Sequence, residues 1–282
     1  MKISASISRG HVAPRHDLRE GKDLPENIDK SLSKDNVVLE NNLQKKANGK
    51  TESIEDWINR RMQPAIDAYD ATQKRRDRRI GENYGNYVNW HNAKNKHMGK
   101  PLDLAYEFVV QFGEHLETRY NEKTKQNEPV LDQNGNPMKS IGAVYFAADD
   151  AMKKAMREKL FVPEFRKALD HFKTKYPHLE IIQATCHFDE SNGTPHMHLT
   201  IVPVGQKFKN GLQERVGFGH AIGNDGIERT KSRDDEGGFQ MERMYDEMHS
   251  YLKERLRENE HFKVFEVKED RKSTRLNSSH RL

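Results

Sequence analysis

The sequence predicts an α+β domain: an antiparallel β-sheet of about five strands with flanking helices and a metal site on the central strands. Three observations lead there. Two apolar runs, residues 180–186 and 199–204, flank a short polar stretch containing Asn192-Gly193, the signature of a hairpin. Further strand-like alternations are interleaved with helical periods along the rest of the chain. With 282 residues, 34% hydrophobic and 33% charged, one well-formed core plus long solvated helices or loops is easier to build than two compact domains.

Ile3, Ala5 and Ile7 alternate, so residues 2–8 read as the first strand. From Arg9 to about Lys50 the chain is polar, punctuated by Gly and Pro, and contains His11 and His16; it reads as a long arm. Residues 53–80 read as a helix, because Ile54, Trp57, Ile58, Met62, Ala65, Ile66 and Tyr69 recur at three- and four-residue steps, with Pro64 as a bend. The basic run Lys74–Arg79 either complements that helix's dipole or contacts phosphate. Residues 91–101 look like a loop, 105–112 a strand, 132–137 a turn, and 142–147 the start of another element.

Residues 149–176 form a second helical period, with Met152, Met156, Leu160, Phe165, Leu169 and Phe172 on its buried side and an interruption at Pro163. After the paired strands come a Gly-rich polar loop over 205–238, a helix from 239 to about 257, and an edge strand around Phe262–Val267. The final residues, 271–282, have no apolar pattern, and Ser-Thr-Arg-Leu-Asn-Ser-Ser-His resembles translated sequencing-adapter DNA. A tail of non-native origin is therefore expected from about residue 271.

The charge balance, 48 Lys+Arg against 44 Asp+Glu, permits nucleic-acid binding without demanding it. A single cysteine, Cys186, excludes an intramolecular disulfide and fits a reducing cytoplasm. As the strand neighbour of His187 it should point to the opposite face, into the core. No stretch is long and apolar enough to span a bilayer, and residues 1–7 lack a signal-peptide core, so a soluble, cytoplasmic protein is expected.

The most informative segment runs from His187 to His198 and holds three histidines and two carboxylates in twelve residues. His196 and His198 are two apart, so both imidazoles project from one face of a strand, and a hairpin brings His187 opposite them. Three neutral imidazoles arranged in this way form a facial ligand set for one divalent ion, with other positions open. The open shell argues against a structural zinc, which closes with four ligands.

His-Phe-Asp-Glu-Ser-Asn-Gly-Thr-Pro-His-Met-His, followed by an apolar strand ending in Val-Pro, resembles the metal motif of the Pre/Mob (MobV-type) plasmid mobilisation relaxases, in the HUH endonuclease class. Upstream, His16-Asp17-Leu18-Arg19, Asn27-Ile28-Asp29 and Ser33–Leu39 resemble that family's N-terminal motif, with Asp17 where Asn is commoner. The resemblance covers roughly residues 1–260, which it marks as the nicking domain, leaving 261–282 as a C-terminal segment that looks truncated.

The resemblance implies a site-specific single-strand DNA endonuclease and strand transferase acting at a transfer origin, with DNA, as a single strand or hairpin, as its partner. It carries the nucleophile over onto His16, with His11 as the rival, and so implies a covalent 5′-phosphohistidine. Glu190 is the first candidate to orient that imidazole and Asp189 the second; either would alternatively complete a metal shell. His187, His196 and His198 would hold Mn²⁺ or Mg²⁺, and three imidazoles are a softer set than Mg²⁺ prefers. Arg19, Asn36, Lys207 and Lys209 are candidate DNA contacts, although Asn36 would serve equally as a turn-former holding the arm. A homodimer through a C-terminal region absent from this sequence is a further expectation.

Two other readings remain open at this point. A tyrosine-using HUH replication initiator or transposase would employ Tyr245 or Tyr251, which are six residues apart and so do not share a helix face. A metal-dependent small phosphoesterase would use Glu190 as the base for a bound water.

Overall fold

A computed structural model of the chain describes residues 2–10, 12, 28–94, 103–190, 193–228, 238–262 and 266–267. His11, His16, Arg19 and the tail from 271 lie outside the described residues. The strands are β1 (Lys2–Ile3), β2 (Ala5–Arg9), β3 (Val37–Asn41), β4 (Tyr106–Phe112), β5 (Thr118–Asn121), β6 (Gln126–Pro129), β7 (Leu179–His187), β8 (His196–Gly205), β9 (Arg215–Val216) and β10 (Glu266–Val267). The helices are α1 (Ile54–Thr72), α2 (Tyr84–Lys94), α3 (Ile141–Ala147), α4 (Asp150–Met156), α5 (Val162–Lys175), α6 (Phe218–Asn224) and α7 (Gly238–Glu258).

The main sheet has the order β2-β4-β8-β7-β3, antiparallel throughout, with the two-residue β9 added to the end of β8. Its two faces are covered differently. Phe108, Val110, Phe112, Ala184, Cys186, Met197, Leu199 and Ile201 share one face, where they pack with Phe165, Leu169 and Phe172 of α5 and Met244, Met248 and Leu252 of α7. On the other face, at the far end of the central strands, Ile182, Val202 and Val204 meet Trp57, Ile58, Met62 and Ile66 of α1 and Tyr84 and Val88 of α2. Towards the opposite end of that second face the strands carry polar side chains, and there the site lies.

Several elements differ from the sequence expectation. The arm contains β3, whose Val38 is 49% exposed at the sheet's edge and therefore leaves little apolar signal. Helix α1 starts on a Ser53/Asp56 capping box and ends at Thr72, short of residue 80. Asp70 turns the chain there by accepting from the backbone N–H groups of Ile80 (2.8 Å) and Gly81 (2.9 Å). The basic run is thus a turn with a short 3₁₀ segment at Arg76–Arg78, not a helix end.

The expected helix over 149–176 is α4, a π-helical turn over Arg157–Phe161, and α5, with Pro163 in the first turn where its missing N–H is tolerated. Helix α6 and β9 occupy part of the Gly-rich loop, and β5 and β6 form an exposed hairpin. At the C-terminal end, Phe262 is fully buried against Phe112 and β10 pairs with β1, so packing continues past the expected boundary at 260. Among the described residues no helix is long and apolar enough to cross a membrane.

Candidate metal centre

His187 closes β7 and His196 opens β8, and the two are direct cross-strand partners. Thr185 faces His198 in the same register. Because opposed residues share a face, His187, His196 and His198 gather on the second, polar face while Cys186 and Met197 point into the core. The ring centroids are 5.4, 4.6 and 4.9 Å apart. Glu190, in the connection between the strands, joins them: one ligand atom from each of His187, Glu190, His196 and His198 lies within 4.8 Å of all the others. Glu190 Oε1 is 3.6 Å from His187 Nδ1 and 3.8 Å from His196 Nε2.

The neighbours of two rings fix their tautomers. His196 Nδ1 lies 2.8 Å from the Thr194 carbonyl, which only accepts, so this nitrogen carries the proton. His198 Nδ1 is 2.9 Å from Glu107 Oε1 and donates to that carboxylate. Both Nε2 lone pairs are consequently turned towards each other, 3.0 Å apart. Two lone pairs at that distance repel unless a cation lies against them, and a ligating histidine with its other nitrogen bound to a carbonyl or carboxylate is the usual arrangement of a metal site. Burial and the nearby His198 bring His196 down to about 4, keeping it in the neutral form a metal requires. The donor set fits a divalent ion.

Glu107 was missed in the sequence. It is 2% exposed in β4, where the signal was a lone carboxylate inside Tyr-Glu-Phe-Val-Val-Gln-Phe. Gly10 presses on it: a Cβ there would stand 2.3 Å from Glu107 Oε1, so only glycine leaves room for the carboxylate that orients His198. The connection before His196 is also held, since His115 Nδ1 donates to the Gly193 carbonyl at 2.9 Å.

The other expected site residues divide. Asp189 is fully buried and accepts from Ser33 Oγ (2.7 Å) and Asn36 Nδ2 (2.8 Å), away from the cluster that includes Glu190. Asn36 also accepts from the Phe188 N–H at 2.8 Å, so both ends of its amide are engaged within the protein. Lys207 and Lys209 are exposed just beyond the far end of β8. The length of that strand, about 30 Å at the usual rise, separates them from His196, so the structure does not bring them to the cluster. Tyr245 packs edge-on against Phe108 on the opposite face of the sheet, and burial pushes its hydroxyl up to about 12. Tyr251 stacks on His171 with centroids 3.6 Å apart, also on the side packed by α5 and α7. Burial raises the Cys186 thiol well above the usual range, as a core side chain requires.

An antiparallel sheet that presents histidines from a central hairpin on the face opposite its α5–α7 core defines an HUH-like, relaxase-type fold. The profile of the Mob_Pre family, plasmid recombination enzyme, matches residues 79–264, and the chain belongs to that family. It is an enzyme of the DNA-nicking relaxase class. Similar solved structures include the Mn-bound MobM relaxase domain (MOBV; Mob_Pre) on plasmid pMV158 oriT DNA of 22 nucleotides at pH 4.6, with 14% identity, a TM-score of 0.39, and coverage of 99% of this chain and 97% of that one. The same domain on the 22-nucleotide DNA with a 3′-thiophosphate, Mn-bound at pH 6.8, gives 14% identity, a TM-score of 0.38, and coverage of 96% and 91%. No curated protein matches the chain.

Proposed function

We propose that this relaxase nicks one strand at the transfer origin of a plasmid or mobile element and holds the cut 5′ end as a phosphohistidine on His16. The observation that carries the reading is the placement of Gly10 and Ile28, the described residues that bracket His16 in the sequence. On one side Gly10 donates its N–H to the Glu107 carbonyl (2.8 Å) and lies against the carboxylate that orients His198. On the other, Ile28 is bridged to Glu190. Residues 10 and 28, which bracket His11, His16 and Arg19 in the sequence, therefore both lie beside residues of the histidine cluster.

His187, His196, His198 and Glu190 would hold one divalent ion, and three imidazoles with one carboxylate favour Mn²⁺ over Mg²⁺. Such an ion neutralises charge developing on the phosphate oxygens. The His16 imidazole attacks phosphorus; the N–P bond forms and the P–O3′ bond breaks. The second ring nitrogen releases its proton, and the departing 3′-oxygen takes one up as it leaves as a hydroxyl. Return of a 3′-hydroxyl reverses the step and reseals the strand. Within this scheme Glu190 acts as a metal ligand instead of orienting His16, and Arg19 is a phosphate contact.

The polar half of the sheet's second face favours an extended strand over a small phosphoester. Ser8 is exposed there, and Ser6, Gln111 and the histidines follow it across β2, β4 and β8 by register. The test is a nicking reaction with Mn²⁺ on the origin DNA adjoining the gene. Wild type should give nicked DNA and a slow-migrating protein–DNA adduct, and His16→Ala should give neither. An adduct that persists in His16→Ala but vanishes in His11→Ala would move the nucleophile to His11.

A further inference from the structure

We infer that Asp189 is a positioning residue, a buried dock that sets the N-terminal arm against the metal-bearing strands. The inference rests on the reading that this arm delivers the nucleophile. Asp189 adjoins Glu190 in sequence but turns the other way, and its side chain has no exposed surface. A buried carboxylate is costly unless its oxygens are satisfied, and two donors to this one come from the arm. Ser33 Oγ and Asn36 Nδ2 both donate to Asp189 Oδ2, at 2.7 and 2.8 Å. The backbone repeats the attachment: the Asp29 N–H donates to the Asp189 carbonyl (2.8 Å), and the Phe188 N–H donates to Asn36 Oδ1 (2.8 Å).

A third element closes the lock. Arg157, the first residue of the π-helical turn, pairs with Asp35 at 2.9 Å with both side chains mostly buried, and donates to the Tyr145 hydroxyl at 3.3 Å. Tyr145 packs on Phe188, one residue before Asp189. A π-turn is an irregularity that persists when something depends on it. Here it starts at the residue whose guanidinium grips the arm. Residues 28–36 are thereby held to the strand end that also carries His187 and Glu190, through bonds that share no atom with the metal-ligand set.

This arrangement predicts a separation of effects that ordinary destabilisation would not produce. In Asp189→Ala the oxygen that accepts from the Ser33 hydroxyl and the Asn36 amide is removed, so the dock opens while Glu190 stays in place. The nicking rate at saturating origin DNA should fall by about 100-fold, the scale of a small misplacement of a reacting group. Mn²⁺ affinity and the KM for DNA should stay within about threefold, since no ligand atom is touched. Hydrogen exchange at the Asp29 amide should accelerate. The conservative Asp189→Asn keeps one oxygen that can accept from both Ser33 and Asn36 and should hold nicking within about fivefold of wild type.

Parallel loss of Mn²⁺ affinity and nicking would overturn the inference, because Asp189 would then act through Glu190. Unchanged nicking in Asp189→Ala, or a folded Asp189→Asn as slow as Asp189→Ala, would also overturn it. Asn36→Ala, which removes the donor and leaves Asp189 intact, should reproduce the loss if Asp189→Ala folds poorly. If His16→Ala still forms the adduct while Asp189→Ala frees the Asp29 amide, the nucleophile assignment fails and the dock stands.

Discussion

At the scale of single residues, Glu107 converts a strand histidine into an oriented ligand. Its carboxylate accepts a hydrogen bond from the Nδ1–H of His198 and leaves Nε2 facing His196. Replacing such a partner typically costs 10–100-fold in metal affinity, so Glu107→Ala should weaken Mn²⁺ binding by about that factor in a calorimetric titration, with the fold retained. Gly10→Ala should shift affinity the same way by a smaller factor, as the added Cβ displaces the carboxylate; unchanged affinity in both variants would remove Glu107 from the site. The three histidines were legible in the sequence because residue type and two-residue spacing announce them. Glu107 was not, because its meaning depends on a contact with His198 across 91 positions of sequence.

Among elements, the β7–β8 hairpin separates stability from chemistry by the parity of its side chains. Leu199 is 1% exposed on the core face and His198 points to the other. Leu199→Ala should lower unfolding stability by about 2–5 kcal/mol while leaving Mn²⁺ affinity nearly unchanged. His198→Ala should do the reverse, with little effect on the metal-free protein's denaturation midpoint and a large loss of binding. Equal stability losses would mean that the faces are not independent. The hairpin was readable because long apolar runs flanked a turn. Strand β3 was not, since its outward Val38 and its polar neighbours resemble a loop, and α6 was hidden by the glycines around it. The turn at Arg76–Arg78 was misread as helix because its rigidity comes from Asp70 capping Ile80 and Gly81.

Across the whole molecule, the sheet divides a face packed by α5 and α7 from a second face, covered by α1 and α2 at one end and carrying the histidines at the other, and this division disfavours tyrosine chemistry. Tyr245 and Tyr251 belong to the side packed by α5 and α7, and the Tyr245 hydroxyl, pushed up to about 12 by burial, stays protonated through the neutral range. Tyr245→Phe and Tyr251→Phe should each nick origin DNA within about threefold of wild type, as expected for residues remote from the reacting atoms. A loss of several hundredfold in either would place the reaction on the wrong face. The α+β class followed from interleaved periods. The division of labour between the faces followed only from the strand order, which no local pattern encodes.

The measurement that bears most directly on the phosphohistidine account is the identity of the residue joined to DNA. The Mn²⁺-dependent adduct should be trapped, digested with protease and sequenced by mass spectrometry, with a parallel sample held briefly in mild acid. A phosphoramidate on the peptide containing His16, lost in acid, is the predicted result. An acid-stable adduct on a tyrosine peptide would contradict it.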